Sequence, residues 1–326
     1  MTRCHCCLKE TKNDFCRSCS LKLFKKNKFN AKLNFKLTDI TQIKKQDVKR
    51  ISISGAQPKF SLRFEDTELS TTDQNGIFIL KPSTDMQYEL FQDMPANEHV
   101  TMQMAKQIFK INVAESALMK FSSGEYAYLT KRFDVREDGS KIHQEDFAQI
   151  AGISNDTDGP NYKYNSLSYE EIADLMKKYV SAYTIAAENF FNVILFNYLV
   201  SNGDAHIKNF SIYSPNQEGV FKLTPAYDLL NTSLHTSDER MALDLFKNED
   251  NYESDYFNTN GFYGAPDFME FAHRIGIVEK RAERFIRNIT SHLSEMEVMI
   301  DNSFLSDEAK IKYKESLNDR AKALKI

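Results

Sequence analysis

The chain has 326 residues, of which 41% are hydrophobic, and its 24 Phe and 15 Tyr can supply a substantial core. The formal net charge of -4 and the pI near 6.0 argue against a protein that binds nucleic acid over its whole surface. The N-terminus lacks an apolar secretion signal, and the longest apolar run, 190–200, is shorter than the roughly 20 residues that cross a bilayer. We therefore expect a cytoplasmic protein of two or more lobes that has no membrane partner.

All five cysteines lie within residues 4–19. Four of them form two C-x2-C pairs: Cys4, Cys7, Cys16 and Cys19. Four thiolates at this spacing can close a tetrahedral Zn²⁺ site, and metal binding would supply folding energy to a module too small for a core of its own. A redox pair is the alternative, and Cys6 is a spare thiol or an alternate ligand. We predict a zinc-binding module over residues 1–24.

A Lys-rich stretch follows and predicts a basic, partly helical connector over residues 25–49. Its basic residues more often form a solvated face, although they could contact nucleic acid or an acidic partner. Strand patterns then predict a strand-rich lobe over 50–135, with strands at RISISG, FSLRF, GIFILKP and YAYLTKRFDV. One helix is expected within this lobe, over 96–110, with Asn97 as its N-cap.

From about Ser140 the pattern changes to longer helical segments, including EEIADLMKKYV and AAENFFNVILFNYLV. The polar and aromatic segment 248–264 is the best candidate for a flexible loop. We assign residues 136–326 to a helical lobe. A strand-rich lobe followed by a helical lobe predicts an α+β fold with a cleft between the two.

A combination of acidic and amide side chains points to phosphoryl transfer. The stretch YLVSNGDAHIKNF ends an apolar run in a turn that presents Asp204, His206 and Asn209, and Asp228 follows in LTPAYDLL. Phosphoryl transfer needs a base for the acceptor hydroxyl and cations on the phosphates. Asp204 can be that base, while the oxygens of Asn209 and Asp228 suit Mg²⁺.

Positive charge for the phosphates is predicted from the strand-rich lobe. Lys81 ends the strand GIFIL, and Glu98 could orient it. The turn SISGAQPK supplies small residues and free backbone N–H groups, with Lys59 behind them. Taken singly, Lys81 is an ordinary strand-end lysine, Glu98 a first-turn acid and Asp204 a turn residue. Their order in one chain favours the catalytic interpretation.

The ordered motifs RISISGAQPKFSL, ILKP, NEHVTMQMAK, KRFD, HQEDFAQIAG, SNGDAHIKNFSIY and LTPAYDLLNT resemble the HipA family of bacterial toxin serine/threonine kinases. The resemblance covers residues 50–235 closely. It implies a two-lobed kinase fold, distantly similar to the phosphoinositide kinases, that uses ATP and Mg²⁺ in the bacterial cytoplasm. The glycine-rich loop begins near residue 50, too early for the family's first N-terminal subdomain, so the chain is more similar to the short HipT-like branch.

The resemblance also implies the site roles. Asp204 would be the catalytic base, with Lys81 and His206 as further catalytic groups, and Asn209 and Asp228 would bind Mg²⁺. The implied ATP-binding residues are Ser54, Gly55, Ala56, Gln57, Lys59, Lys81, Lys131, Phe133, His206 and Tyr227. The family tends to have Glu where this chain has Lys131, so adenine contacts there are expected from the backbone. Ser52 and Ser54 match loop serines that family members phosphorylate on themselves, where a phosphate would repel ATP.

The implied partners are an antitoxin of the HipB or HipS type and a protein substrate, an aminoacyl-tRNA synthetase, whose inhibition would arrest translation. DNA would be contacted only through the antitoxin. Two alternatives stay open. One is a small-molecule or lipid kinase of the same fold. The other is a nucleotide-binding pseudokinase whose zinc module binds nucleic acid, which the presence of Lys81, Asp204, Asn209 and Asp228 disfavours.

Overall fold

The computed structural model describes residues 2–40, 58–83, 87–136, 138–216, 219–237, 241–247 and 252–326. The strand and turn predicted over 50–57 lie outside these ranges, and so do the site residues predicted there: Ser52, Ser54, Gly55, Ala56 and Gln57. Within the described ranges no helix is both long and apolar enough to cross a bilayer.

The N-terminal lobe is built on an antiparallel sheet. A small hairpin of β1 (Thr2–Arg3) and β2 (Glu10–Thr11) and helix α1 (Arg17–Phe24) come first. The main sheet contains β3 (Phe60–Glu65), β4 (Glu68–Thr71), β5 (Phe78–Pro82), β6 (Ser116–Lys120) and β7 (Tyr126–Lys131), in the order β4-β3-β5-β7-β6. The register pairs Lys81 of β5 with Tyr128 of β7, which places the lysine near the end of a central strand.

The N-terminal segment packs against this sheet. One buried cluster contains Cys4, Phe15, Leu23, Phe24, Ala31, Leu33 and Ile40 together with the apolar side chains of β3, β5 and β7. The segment also covers the edge strand β6, since Lys120 N–H donates to Ala31 O (2.8 Å) and Leu33 N–H donates to Lys120 O (2.8 Å). The boundaries after residues 24, 49 and 135 stay predictions.

Helix α2 (Met94–Gln107) lies between the sheet and the helical lobe, and every residue from Pro95 to Ala105 is buried. The prediction of Asn97 as its N-cap is wrong. Pro95 fits the first turn, where its missing N–H costs nothing, so the helix begins earlier and Asp93 occupies the N-cap position. Asn97 instead lies inside the helix, where its Nδ2 donates to Asn231 O of the other lobe (2.7 Å).

The C-terminal lobe is mainly helical. Its helices are α3 (Phe147–Ala151), α4 (Asn155–Asp158), α5 (Tyr162–Asn165), α6 (Tyr169–Tyr179), α7 (Tyr183–Leu199), α8 (Asp255–Asn260), α9 (Ala265–Arg274), α10 (Glu279–Ser291), α11 (Leu293–Asp301) and α12 (Asp307–Ala323). A small antiparallel sheet of β8 (Gln144–Asp146), β9 (Ser211–Tyr213) and β10 (Lys222–Leu223) accompanies them. This division confirms the predicted α+β class with a strand-rich and a helical lobe.

The apolar helix α7 runs through the core of the helical lobe, with Phe190, Phe191 and Leu195 almost fully buried. It ends directly before the turn that carries Asp204. Within the flexible loop predicted over 248–264, residues Asp255–Asn260 form a short helix instead. Ser254 Oγ accepts a hydrogen bond from Phe257 N–H (3.0 Å), and this cap starts the short helix α8.

Candidate active site

A cavity of about 760 Å³ opens between the two lobes. It brings together the predicted catalytic, ATP-binding and magnesium residues that the structure describes: Lys59, Lys81, Lys131, Phe133, Asp204, His206, Asn209, Tyr227 and Asp228. They come from the segment before β3, from β5, from β7 and the segment after it, and from the turns that follow α7 and β10. The cavity volume lies within the range of small-molecule sites, so a nucleotide fits its scale.

Lys81 lies between two carboxylates. Its Nζ is 2.6 Å from Glu98 Oε1 and 2.5 Å from Asp228 Oδ1. Lys59 Nζ lies 3.4 Å from the other oxygen of Asp228. Lys81 and Glu98 are both only 3% exposed, so their charges interact with little screening by water. Glu98 lies on α2, behind the lysine, and holds it at the cavity wall.

The pKa values of these groups follow from burial and from their neighbours. Burial disfavours the charged form of Lys81, but Asp228 and Glu98 outweigh it and raise its pKa. Burial also raises the pKa of Asp228, but the positive charges of Lys81 and Lys59 lower it by more. The pKa of Asp228 therefore lies below its usual range. Burial raises the pKa of Glu98 to about 7, against the opposing charge of Lys81. At neutral pH Lys81 and Asp228 are therefore charged, while Glu98 is close to its midpoint.

The backbone at Asp228 adopts a φ of 56°, in the left-handed region that a non-glycine residue seldom occupies. The side chain of Asn202 holds this turn, because its Nδ2 lies 3.3 Å from Asp228 O and 2.9 Å from Asn197 Oδ1. Strain of this kind costs about 1–3 kcal/mol and is concentrated at functional sites. Asn197 and Asn202 were not predicted as site residues, because their role depends on a tertiary contact.

The turn after α7 is tied to its surroundings by hydrogen bonds. Gly203 N–H donates to Thr232 Oγ1 (2.8 Å), and Asn209 Nδ2 donates to the backbone oxygen of Asp204 (2.7 Å). Since the amide nitrogen of Asn209 is used within the turn, its amide oxygen is the atom that can bind a cation. A Mg²⁺ ion could be held by that oxygen and the carboxylate of Asp228, with further oxygens from phosphate and water.

The carboxylate of Asp204 has two aromatic neighbours. The Tyr164 hydroxyl donates to Asp204 Oδ1 (2.5 Å), and His206 Nε2 lies 3.9 Å from the same oxygen. Burial lowers the pKa of His206, so its ring is neutral at pH 7. Its Nδ1 is buried and has no hydrogen-bond partner among the described residues. Tyr164 was not predicted as a site residue, because it lies 40 positions before Asp204 in a segment without a regular pattern.

An aromatic wall faces the same cavity. The rings of Phe133 and Tyr227 lie 5.7 Å apart, and the Tyr227 hydroxyl donates to Lys208 O (2.9 Å). Such a wall suits a planar base. Lys131 ends β7 here, and its backbone N–H donates to Glu115 O (2.7 Å). Lys208 forms an ion pair of 2.7 Å with Asp146, which also lines the cavity although only its motif, HQED, was noticed in the sequence.

The four predicted zinc ligands are also brought together. The sulfur atoms of Cys4, Cys7, Cys16 and Cys19 all lie within 4.8 Å of one another. None of the five cysteines is in a disulfide, and Cys6 lies outside the group of four. Four thiols around one centre are a donor set that suits Zn²⁺.

The fold and this cleft define the class of two-lobed kinase-fold proteins. Residues 51–296 match the family model described as HipA-like C-terminal domain. The chain therefore belongs to the HipA-like family. This match extends past the closely resembling range, 50–235, and reaches residue 296 of the helical lobe.

Among its relatives, a Haemophilus influenzae protein named as a candidate kinase is 30% identical over 85% of this chain and 82% of its own length. The serine/threonine-protein kinase toxin HipA of Shewanella oneidensis is 26% identical over 77% of this chain and 58% of the toxin.

Two solved structures show the same fold. HipA of Shewanella oneidensis, in a complex with HipB and operator DNA, gives a TM-score of 0.67 at 21% identity, over 88% of this chain and 70% of that one. The Helicobacter pylori proinflammatory kinase CtkA gives 0.55 at 14% identity, over 84% of this chain and 90% of that one. Both likenesses agree with the predicted two-lobed architecture.

Proposed function

We propose that this chain is an ATP- and Mg²⁺-dependent protein serine/threonine kinase of the short HipT-like branch. One observation supports it above all. Lys81, Asp204, Asn209 and Asp228 line a single cavity, and Glu98 holds the lysine from behind. A buried lysine with a fixed positive charge, a carboxylate and a cation site are the parts that phosphoryl transfer requires.

The proposed roles follow from these positions. Lys81 and Lys59 would bind the phosphates of ATP, and Asp228 and Asn209 would hold Mg²⁺, which would neutralise charge on those phosphates. Phe133 and Tyr227 would pack against the adenine base of ATP. Asp204 accepts the proton of the acceptor hydroxyl while that oxygen bonds to the γ-phosphorus and the bond to the β–γ bridging oxygen breaks. The neutral His206 lies beside Asp204 and lines the nucleotide site.

The proposed biological role is that of a toxin in a bacterial toxin–antitoxin system. The relative named as the toxin HipA and the solved complex of HipA with HipB and operator DNA support it. The proposed partner is an antitoxin of the HipB or HipS type, with DNA reached only through it. The proposed substrate is an aminoacyl-tRNA synthetase in the cytoplasm, whose phosphorylation inhibits translation.

Two further elements belong to the proposal. Ser52 and Ser54, which lie outside the described residues, are proposed as autophosphorylation sites that switch the kinase off. A structural Zn²⁺ is proposed on Cys4, Cys7, Cys16 and Cys19. The cluster of four sulfur atoms within 4.8 Å supports this ligand set over two separate redox pairs.

The test is the incubation of purified protein with labelled ATP and Mg²⁺. We expect label on Ser52 or Ser54 of the wild type and none on Asp204→Ala. Phosphoproteomics of cells that express either protein should then identify the substrate. Label on a metabolite and on no protein would favour a small-molecule kinase. A wild type that binds no nucleotide would contradict the kinase proposal, and equal toxicity of Asp204→Ala would favour a pseudokinase.

A further inference from the structure

The two cysteine pairs are held by different local structures. Cys4 and Cys7 lie in the turn of the β1–β2 hairpin, where Leu8 N–H donates to Cys4 O (3.0 Å) and Leu8 takes a φ of 62°. Cys16 is the N-cap of α1, and Cys19 lies in its first turn. A helix N-terminus stabilises negative charge, so it favours the thiolate form that metals bind.

The sulfur positions fit a tetrahedral metal. A Zn–S bond of about 2.3 Å places neighbouring sulfurs about 3.8 Å apart in a tetrahedron. Cys7 Sγ and Cys16 Sγ, from the two different pairs, lie 3.9 Å apart, and all four sulfurs are within 4.8 Å. Cys16 N–H also donates to Cys4 Sγ (3.2 Å), as an amide does to a metal-bound thiolate.

The turn that carries Cys4 and Cys7 is hydrogen-bonded to helix α2. His99 Nε2 lies 2.9 Å from Cys6 O, and Gln107 Nε2 donates to Cys7 O (3.0 Å). His99 and Gln107 are about two helical turns apart along α2. The cysteine turn is therefore hydrogen-bonded to the helix at two separate points. His99 is fully buried and directly follows Glu98, whose own side chain faces Lys81.

The same turn is bonded to the edge strand β6. Leu118 N–H donates to His5 O (2.7 Å), and His5 Nδ1 lies 2.9 Å from Leu118 O. The His5 ring packs on Phe304 of the helical lobe, with ring centroids 4.5 Å apart. The turn therefore connects the sheet, helix α2 and the other lobe, and all of these contacts come from the residues that Cys4 and Cys7 enclose or border.

We propose that Zn²⁺ on the four cysteines positions helix α2 and thereby keeps Glu98 at Lys81. The metal fixes the turn 4–8 against α1, and the carbonyls of Cys6 and Cys7 then hold α2 at two points. Without the metal, the turn is a short hairpin of two-residue strands, which is marginal by itself. Removal of zinc therefore loosens the helix that carries Glu98. The inference rests on the proposed zinc and does not require kinase activity.

The experiment uses the full chain and two measurements. Elemental analysis should find one zinc per chain. Hydrogen exchange is then followed with and without a zinc-selective chelator. We expect exchange at 94–107 to rise at least fivefold on zinc removal and to return when Zn²⁺ is restored, while 169–179 changes little. A chain that neither contains nor takes up zinc overturns the proposal, and so does zinc removal without a change at 94–107.

Variants separate the metal from its coupling to α2. Cys16→Ala should lose zinc, whereas the matched Cys6→Ala should keep it, because Cys6 lies outside the ligand group. Gln107→Leu should keep zinc and still raise exchange at 94–107, since it removes the hydrogen bond to Cys7 O. Gln103→Leu is the matched control, because it removes the other hydrogen bond of Gln107, to Gln103 Oε1, and leaves the bond to Cys7 O in place. Unchanged exchange in Gln107→Leu would contradict the coupling. If the protein transfers no phosphate while these results hold, the kinase proposal fails and this one stands.

Discussion

The hydroxyl of Tyr164 donates a hydrogen bond to Asp204 Oδ1 at 2.5 Å. Burial and the charge of Asp204 raise the pKa of this tyrosine, so it remains a neutral donor at physiological pH. In the proposed mechanism an acceptor serine makes the same hydrogen bond to Asp204, the proposed base, before it is phosphorylated. On this proposal Tyr164 holds the position of the acceptor hydroxyl, and a substrate has to displace it.

Replacement of Tyr164 by Phe should lower the KM for the protein acceptor. A hydrogen bond to a charged group contributes about 1.5–3 kcal/mol, so we expect KM to decrease by roughly tenfold or more. The value of kcat should not fall. The measurement is steady-state kinetics with a peptide or protein acceptor, and Tyr179→Phe, at an exposed position outside the cavity, is the matched control. If Tyr164→Phe loses as much activity as Asp204→Ala, the hydroxyl orients the base instead of blocking it.

Lys81→Met should lower phosphoryl transfer by about 10²–10³, as expected when one fixed charge that stabilises the transition state is removed. Glu98→Gln should have a smaller effect, about tenfold, because the glutamine can still hydrogen-bond to the lysine but provides no charge. Autophosphorylation rates measure both. Lys222→Met, at an exposed position on β10, is the control and should match the wild type. Equal rates for Lys81→Met and the control would exclude Lys81 from the phosphate site.

The candidate site could be predicted from the sequence where its residues lie in short motifs. Asp204 and Asn209 share one turn, Lys81 ends an apolar strand, and Asp228 follows another apolar segment. Their chemistry is carried by residue type and spacing, which are local. Tyr164 could not be predicted in this way, because its contact with Asp204 depends on how α5 packs on the turn after α7.

The same distinction between local patterns and tertiary contacts separates the parts of the fold that could be predicted from those that could not. The strands and long helices follow from local periodicity, whereas the docking of the cysteine segment depends on His5 and Leu118, which are 113 positions apart. Asn97 shows the error that local rules produce. Its residue type suits an N-cap, but the proline two residues before it moves the helix start, and the asparagine then serves a contact with the other lobe.

Asn97→Leu should destabilise the protein. Asn97 pairs with both backbone groups of Asn231, at 2.7 Å to its oxygen and 3.0 Å from its nitrogen, and all of these atoms are buried. A leucine side chain cannot hydrogen-bond to the backbone oxygen and N–H of Asn231. Each buried group left unsatisfied costs about 1–3 kcal/mol. Urea unfolding measures the loss. The control Asn258→Leu, at an exposed helical position, should change stability by less than about 0.5 kcal/mol. Similar losses in both variants would contradict this account.

The raised pKa of Glu98 predicts how stability depends on pH. Its pKa is about 7 in the folded protein against 4.5 in the unfolded chain, so the native state binds more protons between these values. The contribution of Glu98 to the free energy of unfolding is therefore fully present below pH 4.5 and is lost as pH rises through 7. The slope approaches about 1.4 kcal/mol per pH unit for one proton.

Urea unfolding between pH 4.5 and 8 without nucleotide should show this slope in the wild type and lose it in Glu98→Gln. The exposed Glu253→Gln should retain it. Nucleotide affinity should change in the opposite direction, rising with pH through 7, because the ionised carboxylate holds Lys81 toward the phosphates. Parallel stability profiles for the wild type and Glu98→Gln would show that Glu98 stays ionised, with Lys81 fully compensating its burial.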